Sequence, residues 1–273
     1  MMKTLYVTDL DGTLLNSKDY ISNYSINIIN NLVEQGMIFT YATARSLVSA
    51  SVVAEGLSAK IPVIAYNGAF ILNPSTGEII SSAFFTKEET DRIIDCMNRH
   101  QIYPLVYSYI NGIEKVSWIT TEENEGIRYY LTKRKGDKRF RPLRNPVGLY
   151  DGQIFYFTCI GEQEKLLPLY DEFREDRNYT CTLQKELYRT EYWCEIMPRQ
   201  ATKANAIKTL KGLWQCDRVV SFGDGINDIP MFQISDECYA VKNAVEELKN
   251  MATCVIGSND SDGVAKWLLE HVK

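Results

Sequence analysis

Two short acidic segments near opposite ends of the chain carry the residue types best suited to chemistry. They read DLDGTLL at residues 9–15 and GDGINDIPM at residues 223–231. Asp9 and Asp11 follow an apolar stretch at 4–8 that predicts a buried strand, so their carboxylates can lean to the same side. Two such charges about 4 Å apart repel by roughly 4 kcal/mol at an effective dielectric of about 20, which calls for a cation or a shared proton.

Asp224 and Asp228 in the second segment enlarge this negative charge. Carboxylate oxygens without an accompanying set of Cys or His ligands favour Mg²⁺ over zinc. Either segment alone would more often be a plain turn, but convergent titratable groups mark functional sites. Together the two segments predict a magnesium-dependent phosphoryl-transfer site.

The elements that must position these residues alternate between strand and helix at both ends of the chain. Strands are predicted at 4–8, 37–41 and 62–66, with one helix capped by Ser22 and another at 46–55. Towards the C-terminus, helices are predicted at 203–214, 244–251 and 264–269, with strands at 218–222 and 253–256. This alternation predicts an α/β fold with a Rossmann-like, doubly wound parallel sheet as its core.

The middle of the chain has a different composition. Long strands are predicted at 153–160 and 188–197, mixed with helices at 87–99, 121–133 and 162–175. Thr86 and Glu89 form a capping box before the first of these helices, and residues 110–113 predict a hairpin turn. We therefore expect a core formed by residues 1–83 and 196–273, with an inserted α+β cap domain at 84–195.

Polar residues follow several predicted core strands at the point where each strand ends. They are Asp9 and Asp11 after the first strand, Thr43 after the second, Asn67 after the third, and Asp224 after the strand at 218–222. In open α/β sheets, ligands bind beyond the carboxyl ends of the strands. These scattered side chains are therefore expected to converge at one edge of the sheet.

Composition narrows the class of protein further. A net charge of −5 argues against nucleic acid as the main partner, and no apolar run approaches the length of about 18 residues that a transmembrane helix needs. The seven widely spaced cysteines include no C-x-x-C pair, which fits a reducing, cytoplasmic location. We expect no membrane partner, and a monomer or weak homodimer.

The motifs resemble those of the haloacid dehalogenase (HAD) superfamily of phosphatases. The resemblance rests on DLDGTLL at 9–15, Thr43 after a strand, Lys203 at the start of a helix, and GDGINDIPM at 223–231. The middle insertion and AYNGA at 65–69 resemble the Cof-type branch, which carries a large α+β cap. In the family Ala44 would usually be a glycine, so the backbone there must accept a Cβ.

The resemblance implies a role for each motif residue. Asp9 would be the nucleophile that forms an aspartyl-phosphate, and Asp11 the general acid and base. Mg²⁺ would be held by Asp9, the Asp11 backbone carbonyl and Asp224, with Asn227 or Asp228 in support. The groups expected to bind the phosphoryl oxygens are the Thr43 hydroxyl, the Lys203 ammonium and nearby backbone N–H groups, a set that comprises Leu10, Thr43, Ala44, Lys203 and Asn227.

These features favour a Mg²⁺-dependent phosphatase acting on a small phosphorylated metabolite, such as a sugar phosphate or a cofactor phosphate. One alternative is a phosphosugar mutase or phosphotransferase, in which a sugar hydroxyl replaces water as the acceptor. Another is a non-catalytic module that binds a phosphorylated ligand. The cap is expected to determine specificity and to close over the site during the first half-reaction.

Overall fold

The strand and helix alternation at the two ends of the chain forms one unit, and the strand-rich middle forms another. The structure, a computed structural model, describes residues 2–58, 60, 62–186 and 189–272. The first unit consists of Met1–Ser82 and Ala201–Lys273, and the second of Ala83–Gln200. Within the described residues, no helix is both long enough and apolar enough to cross a bilayer.

The N-terminal part of the first unit begins the α/β core. Ser22 and Ser46 cap its two helices, because their Oγ atoms accept hydrogen bonds from the Ser25 and Ser49 N–H groups. The elements are β1 (Thr4–Thr8), α1 (Asn23–Glu34), β2 (Ile38–Tyr41), α2 (Leu47–Val53), β3 (Val63–Ala65), β4 (Phe70–Leu72) and β5 (Ile79–Ser82). The two helices and the first two strands predicted in this part are confirmed.

The second unit is an α+β structure around one six-stranded sheet. Its elements are α3 (Lys87–His100), β6 (Leu105–Ile110), β7 (Ile113–Ile119), α4 (Glu125–Lys133), β8 (Phe140–Leu143), β9 (Gln153–Gly161), α5 (Gln163–Phe173), β10 (Tyr179–Lys185) and β11 (Tyr192–Pro198). The strand order is β10-β11-β9-β6-β7-β8, and only β7 and β8 pair in parallel among these described strands. Thr86 and Glu89 form the predicted capping box.

A buried apolar cluster joins α3 and α5 to the sheet of the second unit. It includes Ile93 from α3, Phe157 from β9 and Leu169 from α5. The strand predicted at 188–197 corresponds to β11, and Tyr188 lies outside the described residues. Because β11 runs to Pro198, the end of the second unit falls beyond that strand.

The C-terminal part completes the core sheet. Its elements are α6 (Lys203–Leu213), β12 (Arg218–Gly223), α7 (Ile229–Gln233), β13 (Glu237–Val241), α8 (Glu246–Met251), β14 (Cys254–Ile256) and α9 (Gly263–His271). The five strands run in the order β14-β13-β12-β1-β2, and every pair is parallel. This confirms the predicted parallel core, to which the structure adds β13.

The order of strands places a topological switch point between β1 and β12. From β1 the chain moves outward to β2, whereas from β12 it moves outward in the other direction through β13 to β14. Thr8 pairs with Phe222 at the carboxyl ends of the two central strands. Because ligands of doubly wound folds bind at such switch points, Asp9 and Asp224 are in the expected location for chemistry.

The third predicted strand does not extend the core sheet fully. β3 contacts the parallel sheet through a single parallel bridge between Ala42 and Ile64. It pairs along its length with β4 in a three-stranded antiparallel sheet, β3-β4-β5. The turn after β3 nevertheless reaches the carboxyl ends of the core strands, because the Asn67 N–H donates to the Thr43 carbonyl at 2.8 Å.

Candidate active site

Asp9 lies directly beyond β1, at the centre of the parallel sheet. Its backbone N–H donates to the Phe222 carbonyl at 2.9 Å, which continues the pairing of β1 with β12. Its side chain is buried, and Oδ1 accepts a hydrogen bond from Lys203 Nζ at 2.5 Å. Burial raises the pKa of Asp9 and the neighbouring carboxylates raise it further, whereas Lys203 opposes both effects.

Lys203 is the first residue of α6 and is only 2% exposed. Its Nζ atom donates to Asp9 Oδ1 and, at 2.7 Å, to Asp228 Oδ1. Burial alone would lower the pKa of Lys203, but the two carboxylates raise it above its ordinary value. The lysine is therefore held as a cation between two acids, as a buried charge requires.

Asp228 is completely buried and its oxygens are occupied by donors from the protein. Oδ2 accepts the backbone N–H groups of Asp224 at 3.0 Å and Gly225 at 3.1 Å, while Oδ1 accepts from Lys203. These contacts fix the turn after β12 and the Lys203 side chain at the same time. Asp228 thus links the turn after β12 to Lys203 at the start of α6.

The loop after Asp9 closes around Asp224. Gly12 has a φ of +75°, and a Cβ at that position would lie 2.3 Å from Asp224 Oδ2. The next residue, Thr13, donates its hydroxyl hydrogen to Asp224 Oδ1 at 3.0 Å. Only glycine permits both the left-handed backbone and this approach, which explains the DGT order of the first motif.

Three carboxylates form a group that could hold a metal ion. Oxygens of Asp9, Asp224 and Asp228 lie within 4.8 Å of one another. Burial and the charge of Asp228 raise the pKa of Asp224 to about 6. One buried ammonium does not balance three carboxylates, and an all-oxygen donor set fits a hard divalent cation.

The carboxylate of Asp11 contacts Arg45, whereas that of Asp9 contacts Lys203. Arg45 Nε lies 3.0 Å from both Asp11 oxygens, and Nη2 lies 2.5 Å from Oδ1. The Asp11 side chain is 46% exposed, in contrast to the buried Asp9. The structure therefore separates the two acids of the first motif into a buried and a half-exposed environment.

The remaining predicted residues differ in how deeply they are buried. Thr43 is buried, and its Oγ1 accepts the Arg45 backbone N–H at 3.1 Å. Leu10 is buried, whereas Ala44 and Asn227 are exposed. Ala44 keeps a negative φ, so its Cβ causes no backbone strain there.

Sequence reasoning missed Arg45, which touches a motif residue directly. The available signal was its position two residues after Thr43, at the carboxyl end of a core strand. A lone arginine after a strand is usually solvated, so this signal is weak. Only the folded structure shows that its guanidinium reaches the first motif.

The fold and site together define a phosphoryl-transfer class of α/β enzyme, and comparison with known proteins agrees. A family model described as haloacid dehalogenase-like hydrolase matches residues 6–268. The 5-amino-6-(5-phospho-D-ribitylamino)uracil phosphatase YwtE of Bacillus subtilis (strain 168) is 27% identical over 280 residues, covering 95% of each protein.

Two solved structures share the fold over nearly the whole chain. A Thermotoga maritima protein is 26% identical with a TM-score of 0.78, and the match covers 100% of this chain and 98% of that one. A haloacid dehalogenase-like hydrolase from Bacteroides thetaiotaomicron is 23% identical with a TM-score of 0.79, covering 99% and 100%.

This chain belongs to the haloacid dehalogenase-like hydrolase family. The resemblance predicted from its motifs is confirmed, and so is the class of enzyme, a phosphoric monoester hydrolase of the HAD type.

Proposed function

We propose that this protein is a Mg²⁺-dependent phosphatase that hydrolyses small phosphorylated metabolites through an aspartyl-phosphate on Asp9. The observation that carries the proposal is the buried cluster in which Asp9 meets Lys203 beside Asp224 and Asp228. A carboxylate nucleophile divides a difficult hydrolysis into two easier displacements. The YwtE phosphatase, whose name specifies a phosphorylated ribitylaminouracil, supports a small phosphomonoester as the class of substrate.

In the first half-reaction, an Asp9 oxygen would bond to phosphorus while the bond from phosphorus to the leaving oxygen breaks. Asp11 would supply the proton that the leaving alcohol needs. The Lys203 ammonium and the Thr43 hydroxyl would bind the phosphoryl oxygens as their charge redistributes. In this scheme Lys203 also holds the Asp9 carboxylate in place before attack.

In the second half-reaction, a water oxygen would bond to phosphorus and release Asp9. Asp11 would accept the water proton, which returns both acids to their starting states. Asp11 is half-exposed, so its carboxylate is open to solvent, whereas Asp9 is enclosed. The two environments thus match the two roles.

Asp9, the Asp11 backbone carbonyl and Asp224, supported by Asp228, would hold the metal ion. When bound there, Mg²⁺ would supply positive charge to the phosphoryl oxygens and to the carboxylate cluster. The raised pKa values of Asp9 and Asp224 have the direction expected of carboxylates arranged for a cation.

We propose a cytoplasmic location on the basis of the seven unpaired cysteines.

The experiment is phosphate release from a panel of small phosphomonoesters, with Mg²⁺ or with EDTA. Asp9→Asn preserves the shape of the side chain and removes the nucleophile, so turnover should fall by about 10³-fold or more. Asp91→Asn, which alters an exposed carboxylate of α3, is the matched control and should retain activity. Wild-type rates in Asp9→Asn would exclude the aspartyl-phosphate mechanism.

A further inference from the structure

Arg45 and Asp11 form a two-pronged ion pair at the edge of the site. Nε approaches both carboxylate oxygens at 3.0 Å, and Nη2 adds a contact of 2.5 Å to Oδ1. The guanidinium also lies 3.8 Å from Asp19 and 3.5 Å from the Ser49 hydroxyl. The planar fork of arginine matches a carboxylate in this way, whereas the ammonium of lysine cannot.

The backbone of Arg45 is held on both sides. Its N–H donates to Thr43 Oγ1 at 3.1 Å, and its carbonyl accepts the Tyr66 N–H at 3.0 Å. Tyr66 has a φ of +51°, followed by +53° at Asn67 and +106° at Gly68. A left-handed conformation is costly for a bulky residue such as tyrosine, and such strain concentrates at functional sites.

These contacts locate Arg45 independently of its ion pair. Thr43, the predicted phosphate ligand, holds one side of its backbone, and the strained turn after β3 holds the other. Asp11 lies in the irregular turn after β1, where its half-exposed side chain would otherwise have considerable rotational freedom. Arg45, whose backbone is fixed on both sides, therefore restrains the rotation of the Asp11 side chain.

We propose that Arg45 is a positioning residue that acts through Asp11, fixing the direction of the carboxylate that moves the proton in both half-reactions. The inference rests on the proposed function. Proton transfer needs the acid or base within about 2.6–3.2 Å of the reacting oxygen, so a small rotation of Asp11 removes its contribution. Arg45 itself neither gains nor loses a proton, because a guanidinium stays protonated in proteins and the contact with Asp11 raises its pKa further.

A double-mutant cycle tests this coupling. Arg45→Gln, Asp11→Asn and the double variant are compared with the wild type by kcat and KM for an alkyl phosphate with Mg²⁺. We expect Arg45→Gln to lower kcat by about 10- to 100-fold, by analogy with the loss of a partner that orients a metal ligand, with little change in KM. In the Asp11→Asn background the same substitution should cause no further loss.

The leaving group gives a second readout. A 4-nitrophenyl ester releases a stable anion and needs little help from a general acid. Its kcat/KM, which reports formation of the aspartyl-phosphate, should fall much less in Arg45→Gln than that of the alkyl ester. Arg45→Lys, which keeps the charge and loses the fork, should behave like Arg45→Gln.

Arg99→Gln is the matched control, because Arg99 Nη2 contacts both carboxylate oxygens of Glu172, at 2.7 and 3.1 Å, in the second unit. It should match the wild type. Equal losses from Arg45→Gln with and without Asp11, a loss confined to KM, or full activity in Arg45→Lys would each overturn the positioning role. Failure of the proposed function is distinguishable, since Asp9→Asn would then remain active.

Discussion

The carboxylate cluster should reduce the stability of the metal-free protein, and Asp224 allows this cost to be measured. Burial and the charge of Asp228 raise the pKa of Asp224 from 3.8 to about 6. An acid whose pKa is higher in the folded state holds its proton more tightly there than in the unfolded chain. The contribution of Asp224 to the free energy of unfolding therefore decreases as pH rises from about 4 to about 6.

The size of the effect follows from that difference. At about 1.36 kcal/mol per pKa unit, a rise from 3.8 to about 6 corresponds to about 3 kcal/mol. Asp224 is half-buried, so solvent screening leaves about 1–3 kcal/mol as the expected cost of its charge. Asp224→Asn removes that charge while leaving an amide oxygen that can still accept the Thr13 hydroxyl.

We expect Asp224→Asn to be more stable than the wild type by about 1–3 kcal/mol in EDTA at pH 7.5, with the gap narrowing as pH falls toward 4. Urea denaturation at several pH values measures this directly. Mg²⁺ at about 100 times its Kd should stabilise the wild type by about 2.7 kcal/mol and the variant by much less. Asp91→Asn, at an exposed ion pair, should differ from the wild type by no more than about 0.5 kcal/mol.

The reasoning would be refuted by an Asp224→Asn protein that is no more stable than the wild type in EDTA at every pH. That result would mean that the carboxylate is well solvated or neutralised without a metal. An equal response of both proteins to Mg²⁺ would separately exclude Asp224 as a metal ligand.

Two further substitutions probe the same centre. Lys203→Gln should leave its two buried carboxylate partners uncompensated and lower the free energy of unfolding by about 3–5 kcal/mol at pH 8. The loss should be smaller at pH 5.5, where a carboxylate can take up a proton, and a pH-independent loss in urea titrations would contradict this. Gly12→Ala should cost about 1–3 kcal/mol and weaken stabilisation by Mg²⁺, because its Cβ would meet Asp224. Gly77→Ala is the control, since Gly77 has a similar φ of +72° with nothing within 4 Å of the added Cβ, and its thermal response to Mg²⁺ should be unchanged.

The location of the site could be predicted because parallel strands bring their carboxyl ends together. Asp9 and Asp224 are more than 200 residues apart, yet each follows a strand whose composition identifies it. Once β1 and β12 pair in register, the two acidic motifs must meet. Strand polarity alone predicts that both motifs lie at one edge of the sheet, and the structure adds the pairing that makes them neighbours.

β13 was missed for a local reason. The preceding helix, α7, has only five residues, and Pro230 lies at its start. The connection between β12 and β13 therefore holds too short a helix to show a helical period, and the strand opens with the charged Glu237. Periodicity in a short window cannot separate such a strand from the end of a loop.

Arg45 and the turn after β3 could not be derived from local preference. Tyrosine disfavours a positive φ, so the sequence at Tyr66 argues against the conformation that it adopts. Gly68 is glycine because a Cβ there would lie 2.2 Å from the Thr202 carbonyl oxygen, a contact with a distant part of the chain. Tertiary contacts of this kind determine the turn, and through it the position of Arg45.

The sequence left open whether Asn227 or Asp228 supports the metal ion more closely. The hydrogen bonds of the second motif address the related question of what Asp224 and Asp228 each do. A metal ligand needs lone pairs that no protein donor already occupies. Asp228 accepts Lys203 and two backbone N–H groups, whereas Asp224 accepts only the Thr13 hydroxyl among its described side-chain contacts. We therefore propose Asp224 as the direct ligand and Asp228 as the residue that holds Asp224 and Lys203 in place. Both Asp228 oxygens already accept donors from the protein, whereas Asp224 Oδ2 accepts none among the described hydrogen bonds, so Asp224 has more lone pairs to offer a metal ion.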